Sequence, residues 1–98
     1  MTQMSTDELE ALTRLLKHAL SDTGQSRRVA NFLLAWWNAT NCGGFDIADT
    51  WALDDEIVDD VITVFRLATR GNYPDTLGFG PRFEEVVALW RPDLSPTV

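Results

Sequence analysis

Asp54, Asp55, Glu56, Asp59 and Asp60 put five carboxylates into seven residues. Three kinds of chemistry use such a cluster: holding a divalent cation, moving a proton between paired carboxyls, or attracting a cationic partner. Metal binding is poorly served. No histidine joins the acids, and their spacing matches no EF-hand or other ligand motif. The plainer alternative is a solvated helix start. Asp54, Asp55 and Glu56 read as cap and first turn, where an acid gains about 0.3–1 kcal/mol from the helix dipole. Asp59 and Asp60 lie in the second turn and gain less. Asp55 and Asp59 are also like charges at i,i+4, which costs roughly 0.2–0.5 kcal/mol. The next bases, Arg66 and Arg70, come two turns later. A face kept repulsive in this way predicts docking on a basic protein surface through Asp55, Glu56, Asp59 and Asp60.

Other side chains invite chemistry with less support. Asp46 and Asp49, with Asp54 nearby, offer a carboxylate pair for acid–base or metal work; a cap and a turn residue explain them more simply. His18 stands in the last turn of a helix, where a cationic ring gains from the dipole. Cys42 follows a helix C-terminus, which disfavours a thiolate, so a buried structural thiol is expected. Gly43-Gly44 and Gly78-x-Gly80 lack the lysine and the preceding strand of a phosphate loop. Gly80 does open a helix beside Arg82, where an anion could dock, but turn chemistry accounts for it. Trp36, Trp37, Trp51 and Trp90 suggest an aromatic box or, at helical spacing, core. Trp36 and Trp37 point about 100° apart, so they are expected to face different neighbours. Trp37 joins the partner-contacting set as an aromatic anchor. Arg27 and Arg28 begin a helix, where cations are unfavourable, and are candidates to pair with the third helix.

These residues need four helices to position them. The first spans about 6–20 and opens with a Ser5/Glu8 capping box. Leu9, Leu12, Leu16, Ala19 and Leu20 form its stripe, with Leu15 at the edge and Gly24 as a left-handed stop. Glu10 and Arg14 face each other at i,i+4. The second spans about 27–40 behind a Ser26 cap. It is apolar nearly all round, which predicts a central helix. It ends at Asn41-Cys42-Gly43-Gly44. A connector follows, with one turn capped by Asp46 and with Phe45 and Trp51 plugging the core. The third helix spans about 55–70, capped by Asp54 and stapled by Leu53 and Val58. Ile57, Val58, Val61, Ile62, Val64, Phe65 and Ala68 occupy an arc of roughly 160° at about 100° per residue. That run is β-branched, but its polar positions recur at helical spacing. Gly71 closes it. Two turn signals lead to the fourth helix, about 81–90, which starts at Pro81, buries Phe83, Val86, Val87 and Trp90, and stops at Pro92.

The sum is an all-α, four-helix bundle with short connections, a single domain over 1–98 with residues 1–4 and 93–98 expected to fray. A chain of 98 residues, 45% hydrophobic and 23% charged, is globular. Its formal net charge of −7, from 15 acids and 8 bases, argues against direct binding to nucleic acid or anionic membrane. Seven of the eight bases are arginine. One cysteine makes no internal disulfide and no thiolate cluster. With no signal-peptide pattern and no long apolar run, a cytoplasmic location is expected.

Leu34-Ala35-Trp36-Trp37-Asn38, Cys42-Gly43-Gly44-Phe45-Asp46, Trp51, Tyr73-Pro74-Asp75 with Leu77-Gly78-Phe79, and Trp90-Arg91-Pro92 form a distinctive set. Together they resemble an uncharacterised family of short proteobacterial proteins often carried near mobile elements. The resemblance covers about residues 27–92. It implies a fold and a genomic setting, with no activity and no catalytic residues.

The sequence therefore favours a non-catalytic acidic interaction protein with no cofactor. One concrete form inhibits a nucleic-acid-binding complex by mimicking phosphate charge, as an anti-CRISPR protein does. The alternatives are a structural or regulatory homodimer, joined through Leu15, Trp37 or Leu89, and a metal binder or enzyme using Asp46, Asp49 and Asp54.

Overall fold

The Ser5 hydroxyl accepts the Glu8 amide at 3.1 Å, and the Glu8 carboxylate accepts the Ser5 amide at 2.9 Å. This reciprocal pair satisfies two backbone donors that a helix start leaves open. It launches the first of four α-helices in a computed structural model that describes residues 4–94. The helices are α1 (Thr6–Ala19), α2 (Ser26–Cys42), α3 (Asp55–Thr69) and α4 (Gly80–Trp90). Short 3-10 helices cover Ile47–Ala52, in the α2–α3 connector, and Pro92–Leu94. No strand occurs among the described residues. The β-branched run of α3 is helical, as its polar spacing predicts.

The architecture is the expected all-α bundle. α1 packs on α2, α3 and α4, most closely on α3 and α2. Ala11, Leu12, Leu15, Leu16 and Ala19 are all buried in consequence. Leu15 is thus core rather than edge, because neighbours flank α1 on three sides. Leu9, placed in the stripe by periodicity, is exposed instead. α2 supplies Val29, Ala30, Phe32, Leu33 and Leu34, and Phe83 of α4 is fully buried. Each such aliphatic or aromatic burial is worth roughly 1.5–3 kcal/mol.

The helix ends hold the instructive differences. α1 stops at Leu20, and Gly24 is not left-handed; the glycines with positive φ are Gly43, Gly71 and Gly78. Ser26 is not a cap. It is the buried first residue of α2, locked to Thr23 by bonds between each hydroxyl and the other's amide, 3.0 and 3.2 Å. Gln25 precedes it and reaches across to the start of α3, accepting the Asp54 amide at 2.7 Å and donating to the Asp54 carboxylate at 3.1 Å. Asp54 flanks α3 as expected, but its carboxylate serves Gln25 rather than its own helix. α2 is interrupted at Asn38 (φ −162°, ψ 78°), whose side-chain oxygen accepts the Asn41 amide at 3.2 Å and so caps the last turn. Gly71, at φ +84°, closes α3 as the sequence predicts. Met4 packs on the core, and Asp93 and Leu94 belong to the terminal 3-10 turn. Residues 1–3 and 95–98 lie outside the described residues.

Burial separates side chains that carry the fold from those that do not. Leu12→Ala is expected to lower unfolding stability by about 2–5 kcal/mol, whereas Trp51→Ala should stay within about 0.5 kcal/mol. Urea denaturation followed by circular dichroism measures both.

Candidate functional site

Two ion pairs fix how α3 sits on α1. Arg14 grips Asp60 with two bonds, Nε at 2.8 Å and a terminal nitrogen at 2.9 Å. Near the other end Arg70 meets Glu8 at 2.7 Å. The order of these partners makes the two helices antiparallel. The pairing corrects the acidic cluster: Asp60 is 8% exposed and neutralised within the chain. At 100° per residue Asp60 lies on the α1-facing side of α3, and Arg14 chooses it over Glu10. Asp55, Glu56 and Asp59 remain exposed, and no ion pair among the described residues engages them. Arg28 does not reach α3 either; it contacts Asp49 at 3.8 Å and donates to the Gly24 carbonyl at 2.7 Å.

α3 is a ridge between two concavities. On its α1 side lies a polar cleft of about 500 Å³, walled by Asp54, Glu56, Asp59 and Asp60 with Arg14 and His18 opposite. On its other side lies an apolar groove of about 480 Å³ between α2, the connector and α3. Phe32, Trp36 and Phe45 form much of its floor and Val61, Ile62 and Phe65 its α3 wall. Phe45 stacks edge-on against Phe32 at 5.4 Å, so this connector aromatic does reach the core. Trp51 does not. It is 88% exposed, with Ile47 of the same 3-10 helix at 77%. Ile62 and Phe65, assigned to the buried arc of α3, are 53% and 58% exposed. The arc is real, but α2 covers only part of it, since α2 and α3 touch little. Helical periodicity shows which residues share a face. It does not show how much of that face a neighbour covers.

The remaining tryptophans serve the fold. Trp36 and Trp37 both pack edge-on against Phe83, at 5.8 and 5.9 Å, contrary to the expectation of separate neighbours. Two indoles diverging from one helix leave a notch, and a phenyl ring from α4 fills it. Their N–H groups then pin the 72–75 loop: Trp36 donates to the Asn72 carbonyl at 2.9 Å and Trp37 to the Asp75 carboxylate at 3.3 Å. Trp37 is therefore a half-buried clasp rather than a free anchor, and Trp51 is the exposed indole. Trp90 donates to the Ala19 carbonyl. A β-carbon at Gly80 would come within 2.6 Å of the Asp75 carboxylate, so this position admits only glycine without displacing the clasp.

The other candidates resolve into structural roles. Asp46 caps the connector turn by accepting the Ala48 amide at 2.9 Å, and Asp49 meets Arg28. No group of three or more His, Cys, Asp or Glu residues that could hold a metal ion occurs among the described residues. Cys42 is buried, and burial pushes its thiol up from the usual value of 9.0 against the opposing pull of Arg91. Leu15 is buried and Trp37 is engaged, which leaves only Leu89 exposed among the three residues considered for a dimer. No helix among the described residues is long and apolar enough to cross a membrane.

Fold and surface together define a small all-helical bundle whose third helix separates an acidic cleft from an apolar groove. The chain belongs to a family of unknown function, DUF7673, whose profile matches residues 9–91. Comparison with curated proteins and with solved structures returns no match.

Asp59→Asn is expected to hold or slightly raise the melting temperature, because it relieves repulsion from Asp55. Asp60→Asn should lower it, because Arg14 loses its partner; thermal unfolding at constant salt compares the two. Glu8 carries a pH signature. The Ser5 amide first, and then the Arg70 guanidinium, hold its carboxyl below the usual value of 4.5. The unfolded chain binds that proton more readily than the folded one. The stabilisation is therefore complete above about pH 4.5 and fades as pH falls through the lower folded value. Glu8→Gln should flatten this acid limb of the stability–pH curve.

Proposed function

We propose that this protein is a non-catalytic interaction domain that docks on a basic protein surface through the outer side of α3. The observation that carries this reading is the contrast among neighbouring acids: Asp60 is neutralised by Arg14, while Asp55, Glu56 and Asp59 stand open. Asp55 and Glu56 gain from the helix dipole, but Asp59, in the second turn and beside the cleft, gains little and repels Asp55. A partner's lysine or arginine entering the cleft would meet Asp54, Glu56 and Asp59, opposed by the α3 N-terminal dipole and by Arg14, whose charge Asp60 already offsets. The net charge of −7 steers such a partner and repels phosphate backbones.

Inhibition of a nucleic-acid-binding complex is one form of this reading, and the mobile-element setting implied by the family resemblance suits it. Pure phosphate mimicry fits less well than protein docking. The same helix exposes Ile62 and Phe65 beside the acids, and a nucleic-acid groove has little use for them. The carboxylate metal or enzyme alternative has less support, since Asp46 and Asp49 are occupied by a cap and an ion pair.

A photo-crosslinking residue placed at Asp55 should trap a discrete set of proteins in the source cell. The same group at Thr13, on the exposed side of α1, should not. Trapping should fall steeply between low salt and about 0.5 M, as expected for charges acting over a Debye length of roughly 8–10 Å at physiological salt. Equal trapping from both positions, or salt-independent trapping, would overturn the reading.

A further inference from the structure

The apolar groove has no assigned purpose, and its chemistry narrows what it can hold. It exists because α2 and α3 each lie on α1 but barely meet, and the Ile47–Ala52 turn closes only one end of the gap between them. Its polar groups are already spent. The Trp36 indole N–H is given to Asn72, and the Thr50 hydroxyl donates to the Ile47 carbonyl at 2.7 Å. Nothing remains to orient the polar atoms of a small metabolite, which specific pockets do with a few well-placed donors and acceptors. The site is suited to aliphatic or aromatic side chains.

The rim decides who presents them. Ile47 stands on the connector side, Ile62 and Phe65 on the α3 side. On a helical projection Asp55, Asp59 and Ile62 fall within an arc of roughly 60°, at about 100° per residue. The apolar lip thus runs directly into the open acids. Arg66 lies on the same stripe and is its one cation. With Asp46 exposed on the connector, the balance around the groove remains negative. A second copy of this chain would set acid against acid, and an anionic headgroup or fatty acid would be repelled in the same way. A cationic protein segment is not.

We propose that the groove receives an amphipathic helix of a partner protein. The helix would lay an apolar stripe between α2 and α3 and place lysine or arginine over Asp55 and Asp59. This is helix-in-groove recognition, with a row of anchors at i, i+3/i+4 and i+7 filling a slot already walled by two helices. The inference rests on the docking reading above and adds the partner's shape and the second contact surface.

The test is selection from a phage-displayed library of random 16-residue peptides against the whole chain, followed by binding of the selected peptides to variants. The expected peptides carry apolar residues at helical spacing with enriched lysine and arginine. Their affinity should drop at least tenfold with Phe65→Ser and with Ile47→Ser, both exposed groove positions outside the core. It should also lose most of its salt dependence in D55N/D59N. Circular dichroism and melting of each variant confirm that the fold is intact. Basic peptides insensitive to Phe65→Ser and Ile47→Ser would overturn the groove and leave the acidic docking reading standing. Groove-dependent peptides that are neutral or acidic would overturn both the partner chemistry and that reading. Failure to enrich any peptide, self-association at micromolar concentration abolished by Phe65→Ser, or displacement of peptide by zwitterionic phospholipid vesicles would each overturn the proposal.

Discussion

The antiparallel seating of α3 on α1 decides what the surface of this molecule presents. Glu8–Arg70 and Arg14–Asp60 tie the two helices at both ends of their contact. Arg14 is half exposed, so its pair is screened by water, and its main effect is on register. With α3 pinned in this rotation, Ile57, Val61, Val64 and Leu67 go inward. Asp55 and Asp59 must then face water, and Ile62 and Phe65 fall beyond the reach of α2. A rotation of α3 by one residue would move the acids into the bundle and abolish both concavities.

The Gln25–Asp54 clasp adds a second constraint on the same helix. It joins the N-terminal ends of α2 and α3 through side chain and backbone at once, so the two helices are tethered where they diverge. The gap between them is consequently fixed at one end by hydrogen bonds. At the other end Trp36 and Trp37 hold the 72–75 loop. The apolar groove is a built feature between two anchored points, lined by rings that are themselves held.

Element type and order were readable because they rest on local signals: the Ser5/Glu8 box, the breakers around Gly43 and Gly71, Pro81 at a helix start. All four helices follow from them. What was not readable depends on coverage by distant chain. Asp60 and Asp59 are adjacent and chemically identical, and only the approach of Arg14, 46 residues away, distinguishes them. Trp37 and Trp51 are likewise indistinguishable by composition. One meets Phe83 and Asp75 while the other meets solvent. The distinctive residues Trp36, Trp37, Asp75, Trp90 and Arg91 all carry tertiary hydrogen bonds. They describe the scaffold, whereas the Trp51 and Tyr73 rings of that set are exposed.

Arg91 shows how late this scaffold is completed. Its guanidinium donates to the Asn31 side chain at 2.7 Å and to the Cys42 carbonyl at 3.0 Å, groups on opposite sides of the break at Asn38. One planar cation thereby splints the two halves of α2. During synthesis, α2 emerges from the ribosome long before residue 91 does. Until that arginine arrives, the splint across Asn38 is missing and the final turn rests on local bonds, the Asn41 amide to the Asn38 side chain and the Gly43 amide to the Ala39 carbonyl.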